Sequence, residues 1–138
     1  MTEFPGFPEG KVRFTNIPDP FFRELLPLID HLGELKVTLY AFWYLDRTEG
    51  SFRYIQRENY LEDKDFMRGF VDDLDQADST LEDALQRCVE RGTFLSATLD
   101  LEGGPADFFF LNTSSMLLVG ESTSKQSSLL STESHTSP

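Results

Sequence analysis

Apolar residues first gather at helical spacing at Phe21, Phe22, Leu25, Leu26 and Ile29. Pro20 suits a first helical turn, and Pro27 either kinks this helix or starts another. Upstream, residues 12–17 form a short extended run, a strand or an arm, halted by Pro18 and Pro20 because each proline pushes its predecessor out of the helical region. The densest apolar segment is ELKVTLYAFWYLD, residues 34–46. There Leu35, Leu39, Phe42 and Leu45 share one side while Val37, Tyr40, Ala41 and Tyr44 occupy much of the other, which predicts a central helix enclosed on several sides. Gly50 ends it, and residues 51–56 alternate Phe52, Tyr54 and Gln56 against Arg53 and Ile55 as a brief strand.

A short helix is expected at 58–61, then an acid-rich helix over 62–78 with Phe66, Met67, Phe70, Val71 and Leu74 as its apolar face. Ser79 followed by Glu82 matches the capping box and predicts a helix start. That helix turns Leu81, Ala84, Leu85, Cys88 and Val89 inward and stops at Gly92. Residues 93–99 and 108–111 then read as a hairpin with a loose tip at 100–107, around Gly103, Gly104 and Pro105. The order is that of an α+β domain, a winged helix-turn-helix, mostly helical with a small antiparallel hairpin, in which 80–91 is the recognition helix and 100–107 the wing.

Composition narrows this picture. The chain has 138 residues, enough for one domain that needs no disulfide or metal to fold, and 39% of them are hydrophobic, which rules out wholesale disorder. Residues 1–11 read as a flexible arm, 12–113 as the folded domain, and 114–138, where 12 of 25 residues are Ser or Thr, as a disordered tail. A lone cysteine, no leader-like start and no long apolar run point to a cytoplasmic protein outside the membrane. The net charge of -12 repels phosphate polymers, so any contact with DNA has to be made against that field.

The run FTNIPDPFFRELLPLIDHLGELKVTLYAFWYLDR, with TLEDALQRCVERGTFL and FFFLNT after it, resembles DnaD-type primosome proteins of bacteria, in particular Chloroflexi-like versions. The resemblance covers roughly residues 14–113, and ELKVTLYAFW with its spacing to ERGTFL is its most specific part. It implies an N-terminal winged-helix domain acting in replication initiation or restart, where the family helps recruit the helicase loader. It also implies that this half serves chiefly self-assembly, while a separate helical C-terminal domain, expected to be missing here, supplies much of the DNA contact.

Direct duplex binding requires cations for phosphates and bidentate side chains for base edges. The outer face of the 80–91 helix offers Glu82, Asp83, Gln86, Arg87, Glu90 and Arg91, and the wing adds only Asp100, Glu102 and Asp107. The candidate DNA contacts are Lys11, Arg13, Arg53, Arg57 and Arg87, with Arg47 beside them; scattered solvated charges are the plainer reading of the same set. Candidate protein-interface residues are Trp43, Tyr44, Phe21 and Phe22. The cluster Tyr40, Phe42, Trp43 and Tyr44 has a second reading, a stacking platform for single-stranded bases, with core packing set against it.

Other chemistry finds little support. The carboxylates Asp72, Asp73, Asp75 and Asp78 miss the calcium-loop pattern, because Ala77, Asp78 and Ala84 stand where an oxygen ligand, a glycine and a bidentate Glu belong. No catalytic triad, His-rich metal pair or phosphate loop is present, His31 reads as a surface or capping residue, and Cys88 as a small buried hydrophobe with a raised pKa. No catalytic residue, metal or cofactor is therefore expected. The sequence predicts a non-enzymatic module for primosome assembly, partnered by itself and by replication-initiation proteins, with weak DNA contact and no small-molecule substrate. The alternative is a winged-helix transcriptional regulator that binds DNA directly.

Overall fold

The computed structural model describes residues 3–113. The chain is mixed helix and sheet: a π-helical turn at Phe21–Leu25 and a 3-10 turn at Leu26–Leu28 lead into α1 (Leu32–Asp46). After it come α2 (Arg57–Leu61), α3 (Lys64–Phe70), a 3-10 turn at Leu74–Gln76, α4 (Ala77–Arg91), β1 (Phe94–Leu101) and β2 (Gly104–Leu111). The two strands form an antiparallel hairpin in register from Phe94 opposite Leu111 to Leu101 opposite Gly104.

The helix at the centre of the core is α4. Its Leu81, Ala84, Leu85 and Cys88 are all at most 1% exposed, as their spacing predicted, and pack against Val37, Ala41 and Leu45 of α1. Gly92 terminates α4 at φ 93°, a left-handed conformation that glycine adopts without steric cost, and Thr93 N donates to Cys88 O to close the last turn. Phe94 and Phe109 carry the core onto the sheet.

Several local expectations are overturned. Of the two readings of residues 12–17, the arm is the one found, and no strand forms there. The expected strand at 51–56 reduces to a single bridge, in which Ile55 exchanges two backbone hydrogen bonds with Phe109, both 2.9 Å. Phe52 and Tyr54 instead cover the outer face of β2, at 5.2 Å from Phe110 and 4.8 Å from Phe108. This second layer explains why three consecutive phenylalanines in one strand are all buried.

The acidic helix expected over 62–78 breaks at Val71: Asp73 accepts from Asp75 N at 3.0 Å to start a separate turn, and Leu74 lies 72% exposed. Nor does Ser79 cap α4. The helix begins three residues earlier, at Ala77, Ser79 Oγ donates to Gln76 O, and Glu82 is drawn off to Arg57. The hairpin tip is tight, because 100–101 and 104–107 belong to the strands and Gly104 turns the chain at φ 113°.

The two-sided burial expected for α1 is also corrected. One face, Glu34, Val37, Thr38, Ala41 and Leu45, is buried, while Leu32, Leu39 and Trp43 on the opposite face are 65%, 37% and 40% exposed. No described helix is long and apolar enough to cross a membrane.

Candidate interaction surface

Two surfaces follow from this architecture: the outer face of α4 with the hairpin, and the outer face of α1. The first is saturated with internal pairs. Arg87 Nε donates to Asp83 at 2.9 Å, one turn away, which holds the Asp83 carboxyl below its ordinary range and raises the Arg87 guanidinium. Arg91 grips both oxygens of Glu34 and reaches Asp30 at 3.4 Å. Arg57, at the start of α2, is held between Glu82 of α4 and Asp107 of β2.

These pairs change the reading of the candidate DNA contacts. Arg87 and Arg57 are already neutralised by carboxylates of the same chain. Arg53 donates to Gly50 O at 2.9 Å and to Leu45 O at 3.3 Å, so it closes the C-terminal end of α1. Lys11 and Arg13 lie exposed on the arm. Arg53, Arg57 and Arg87 each bind different groups, and no partner is shared among the three.

Glu34 is the residue that sequence reasoning missed. It lies in the apolar stripe of α1 and is fully buried, tolerated there because Arg91 meets both carboxylate oxygens. Thr38, one turn on, donates to Glu34 O at 2.9 Å and lies 3.4 Å from Cys88 Sγ. Burial pushes the Cys88 thiol up to about 12, which keeps it protonated and unreactive.

At the head of α1, His31 is a cap: its Nδ1 accepts from Glu34 N at 3.1 Å. Gly33 makes room for it, since a Cβ there would stand 2.9 Å from His31 Cε1. Gly33→Ala is therefore expected to lower stability by at most about 0.5 kcal/mol, because losing a cap worth about 1 kcal/mol outweighs a gain of about 0.5–1 kcal/mol from replacing a helical glycine. In a His31→Ala background the same substitution should instead stabilise. Denaturant titration of the four proteins reads this reversal of sign.

The second surface is apolar and aromatic. Phe22, Leu39 and Trp43 are exposed, and the turn at 21–25 lies along the Phe42 flank of α1. Phe21, a candidate interface residue, is instead 4% exposed, with Phe22 at 5.0 Å and Phe42 at 5.6 Å, so it anchors the turn and leaves Phe22 on the surface.

Beside this stripe, Tyr40, Trp43, Tyr44, Arg47, Thr48 and Asp63 line an open groove of about 310 Å³. A neighbouring hollow of about 520 Å³ shares Tyr44 and Asp63 with it and adds Asn59, Glu62, Lys64 and Asp65. Tyr40 donates to Asp63 Oδ2 at 2.7 Å. That bond, together with Phe66 N on the other oxygen, keeps the Asp63 carboxyl below its usual range, while burial and the same contact raise the Tyr40 hydroxyl. The Arg47 guanidinium sits 4.5 Å from the centre of the Trp43 ring.

Among the described residues no group of three or more His, Cys, Asp and Glu is arranged to hold a metal ion. No family model, curated protein or solved structure matches this chain.

Proposed function

We propose that this chain is a non-enzymatic winged-helix module of the DnaD type, acting in replication initiation through contacts with itself and with replication-initiation proteins, and binding DNA weakly or not at all. The element order supports the fold: α1, the bridge at Ile55, α2 with α3, α4 as recognition helix, and the β1–β2 turn as wing. The buried, protonated thiol of Cys88 fits a reducing, cytoplasmic setting.

The observation that carries the functional reading is the state of α4's outer face. Its two arginines are bound by carboxylates of the same chain, and so is the arginine between helix and wing. A phosphate approaching here has to displace those carboxylates and meets Glu82, Asp83 and Glu90 as it does so. The exposed Leu39 and Trp43 of α1, with Phe22 exposed on the turn before it, offer a protein partner the kind of aromatic anchor that contributes most at interfaces.

Trp43→Ala is expected to lower the assembly mass measured by light scattering while leaving the circular dichroism spectrum unchanged. An unchanged mass removes Trp43 from self-assembly. Duplex binding at low salt that weakens on Arg57→Ala or Arg87→Ala, with the salt slope falling by about one unit for each, would favour a DNA-binding regulator instead.

A further inference from the structure

We infer that the groove between α1 and the α2–α3 junction is a receptor for an arginine side chain carried on a basic segment of a partner protein. The inference deepens the assembly reading, and it rests on the α1 surface being a site of protein contact.

Its first support is the chemistry of the walls. Tyr40, Trp43 and Tyr44 line the groove, with Tyr40 and Trp43 centred 5.3 Å apart and Tyr40 and Tyr44 6.2 Å apart. Ring faces carry negative quadrupole charge and attract cations. Apart from Arg47, the polar groups of this groove are poor donors. Tyr40 spends its proton on Asp63 and Thr48 spends its own on Tyr44 O, so both hydroxyls, like the Asp63 carboxylate, have only lone pairs left to offer. Such a lining is complementary to a group that only donates, and a guanidinium is planar, always charged and purely a donor.

The second support is that a guanidinium already stands at one wall. Arg47 lies over Trp43, held by Trp43 O at 3.0 Å and by Thr15 of the arm at 3.1 Å. It shows how this ring receives an arginine, and it occupies the site at which a partner's arginine would compete. Charge is the third support. Glu62, Asp63 and Asp65 line the two hollows against Lys64 and Arg47, with Arg68 paired to Asp65 at 2.8 Å, in a chain of net charge -12. The same carboxylates repel a phosphate backbone, so a basic peptide fits these walls better than a stacked single strand.

The chain contains one tryptophan, so its fluorescence reports on this groove directly. The probe is the peptide acetyl-Gly-Arg-Gly-Arg-Gly-amide, titrated into the full chain at low salt, with an oligothymidylate as comparison. A saturable change in Trp43 emission is expected with the peptide and none with the oligonucleotide. Glu62→Gln with Asp65→Asn, both exposed, should weaken the midpoint several-fold. Arg47→Ala should tighten it by about two- to five-fold, because the internal competitor is gone.

No saturable response in either the wild type or Arg47→Ala overturns the inference, as does a midpoint indifferent to Arg47→Ala. A response to the oligonucleotide alone reassigns the groove to base stacking and overturns it equally. Light scattering on the same samples separates the two readings. If Trp43→Ala still lowers the mass while the peptide fails to bind, assembly stands without the arginine receptor. Peptide binding with a mass unchanged by Trp43→Ala supports the receptor and removes Trp43 from self-assembly.

Discussion

Arg91→Met should lower the thermal unfolding midpoint by roughly 10–20 °C, because it strands a carboxylate that has no route to water. Glu34 is fully buried between α1 and α4, and Arg91 satisfies both of its oxygens. The two partners are not equivalent, since the Arg91 side chain is 25% exposed while that of Glu34 is 0%. If Glu34 is removed, the guanidinium can swing toward Asp30, already 3.4 Å away. If Arg91 is removed, both carboxylate oxygens of Glu34 lose their hydrogen-bond donor, and Arg87 acts on the buried charge only electrostatically, without a hydrogen bond. Glu34→Met should therefore cost clearly less than Arg91→Met, and the double substitution should recover most of the loss, since two methionines of similar volume bury no charge. Thermal melts of the three variants test this ordering. Equal losses in the two single variants would mean that Glu34 finds another partner.

The same pair shows why α1 was harder to read than α4. The stripe of α4 is unambiguous, because Leu81, Ala84, Leu85 and Cys88 are apolar and everything opposite them is charged or polar. α1 is apolar all round, so periodicity could not choose which side faces in. The choice depends on Glu34, whose partner lies 57 residues away on another helix. Glu34 at the buried position places Val37, Ala41 and Leu45 inside, and Leu39 and Trp43 outside. A local pattern has no term for that interaction.

The candidate surfaces divide in the same way. His31 as a cap and Cys88 as a buried hydrophobe were legible, because capping and helical spacing are local. Arg57 looked like a free cation because Glu82 and Asp107, which hold it, come from α4 and β2. The groove was half legible. Tyr40 and Tyr44 stand one turn apart and must share a face, but Asp63, which orders Tyr40, arrives from the loop before α3. Local rules thus recovered the stripe of α4 and the closing hairpin but not the break at Val71 or the start of α4, while the pairing of charges between elements decided which faces remain open to a partner.

Tyr60 connects the core to that open face, and Tyr60→Ala is expected to cost about 3–5 kcal/mol, the range for truncating a large buried aromatic. The residue is fully buried, with its ring 5.0 Å from Tyr40 and 5.4 Å from Phe66. Its hydroxyl donates to Val37 O at 3.1 Å, and burial holds it well above its ordinary pKa, so it stays protonated and keeps donating. Tyr60→Phe separates packing from the hydrogen bond. The ring remains, and Val37 O keeps its place in the α1 ladder, so the loss should be only about 1 kcal/mol. Urea unfolding of both variants gives the comparison, with similar slopes expected if the exposed area on unfolding is unchanged. Phenylalanine should leave the peptide response of Trp43 intact, because Tyr40 and Phe66 still rest on a ring. Alanine should weaken that response even where the protein remains folded, because Tyr40 loses the ring beneath it and Asp63 loses a fixed donor. A phenylalanine variant as unstable as the alanine one would place the stabilisation in the buried hydroxyl, and the groove would then depend on that single bond.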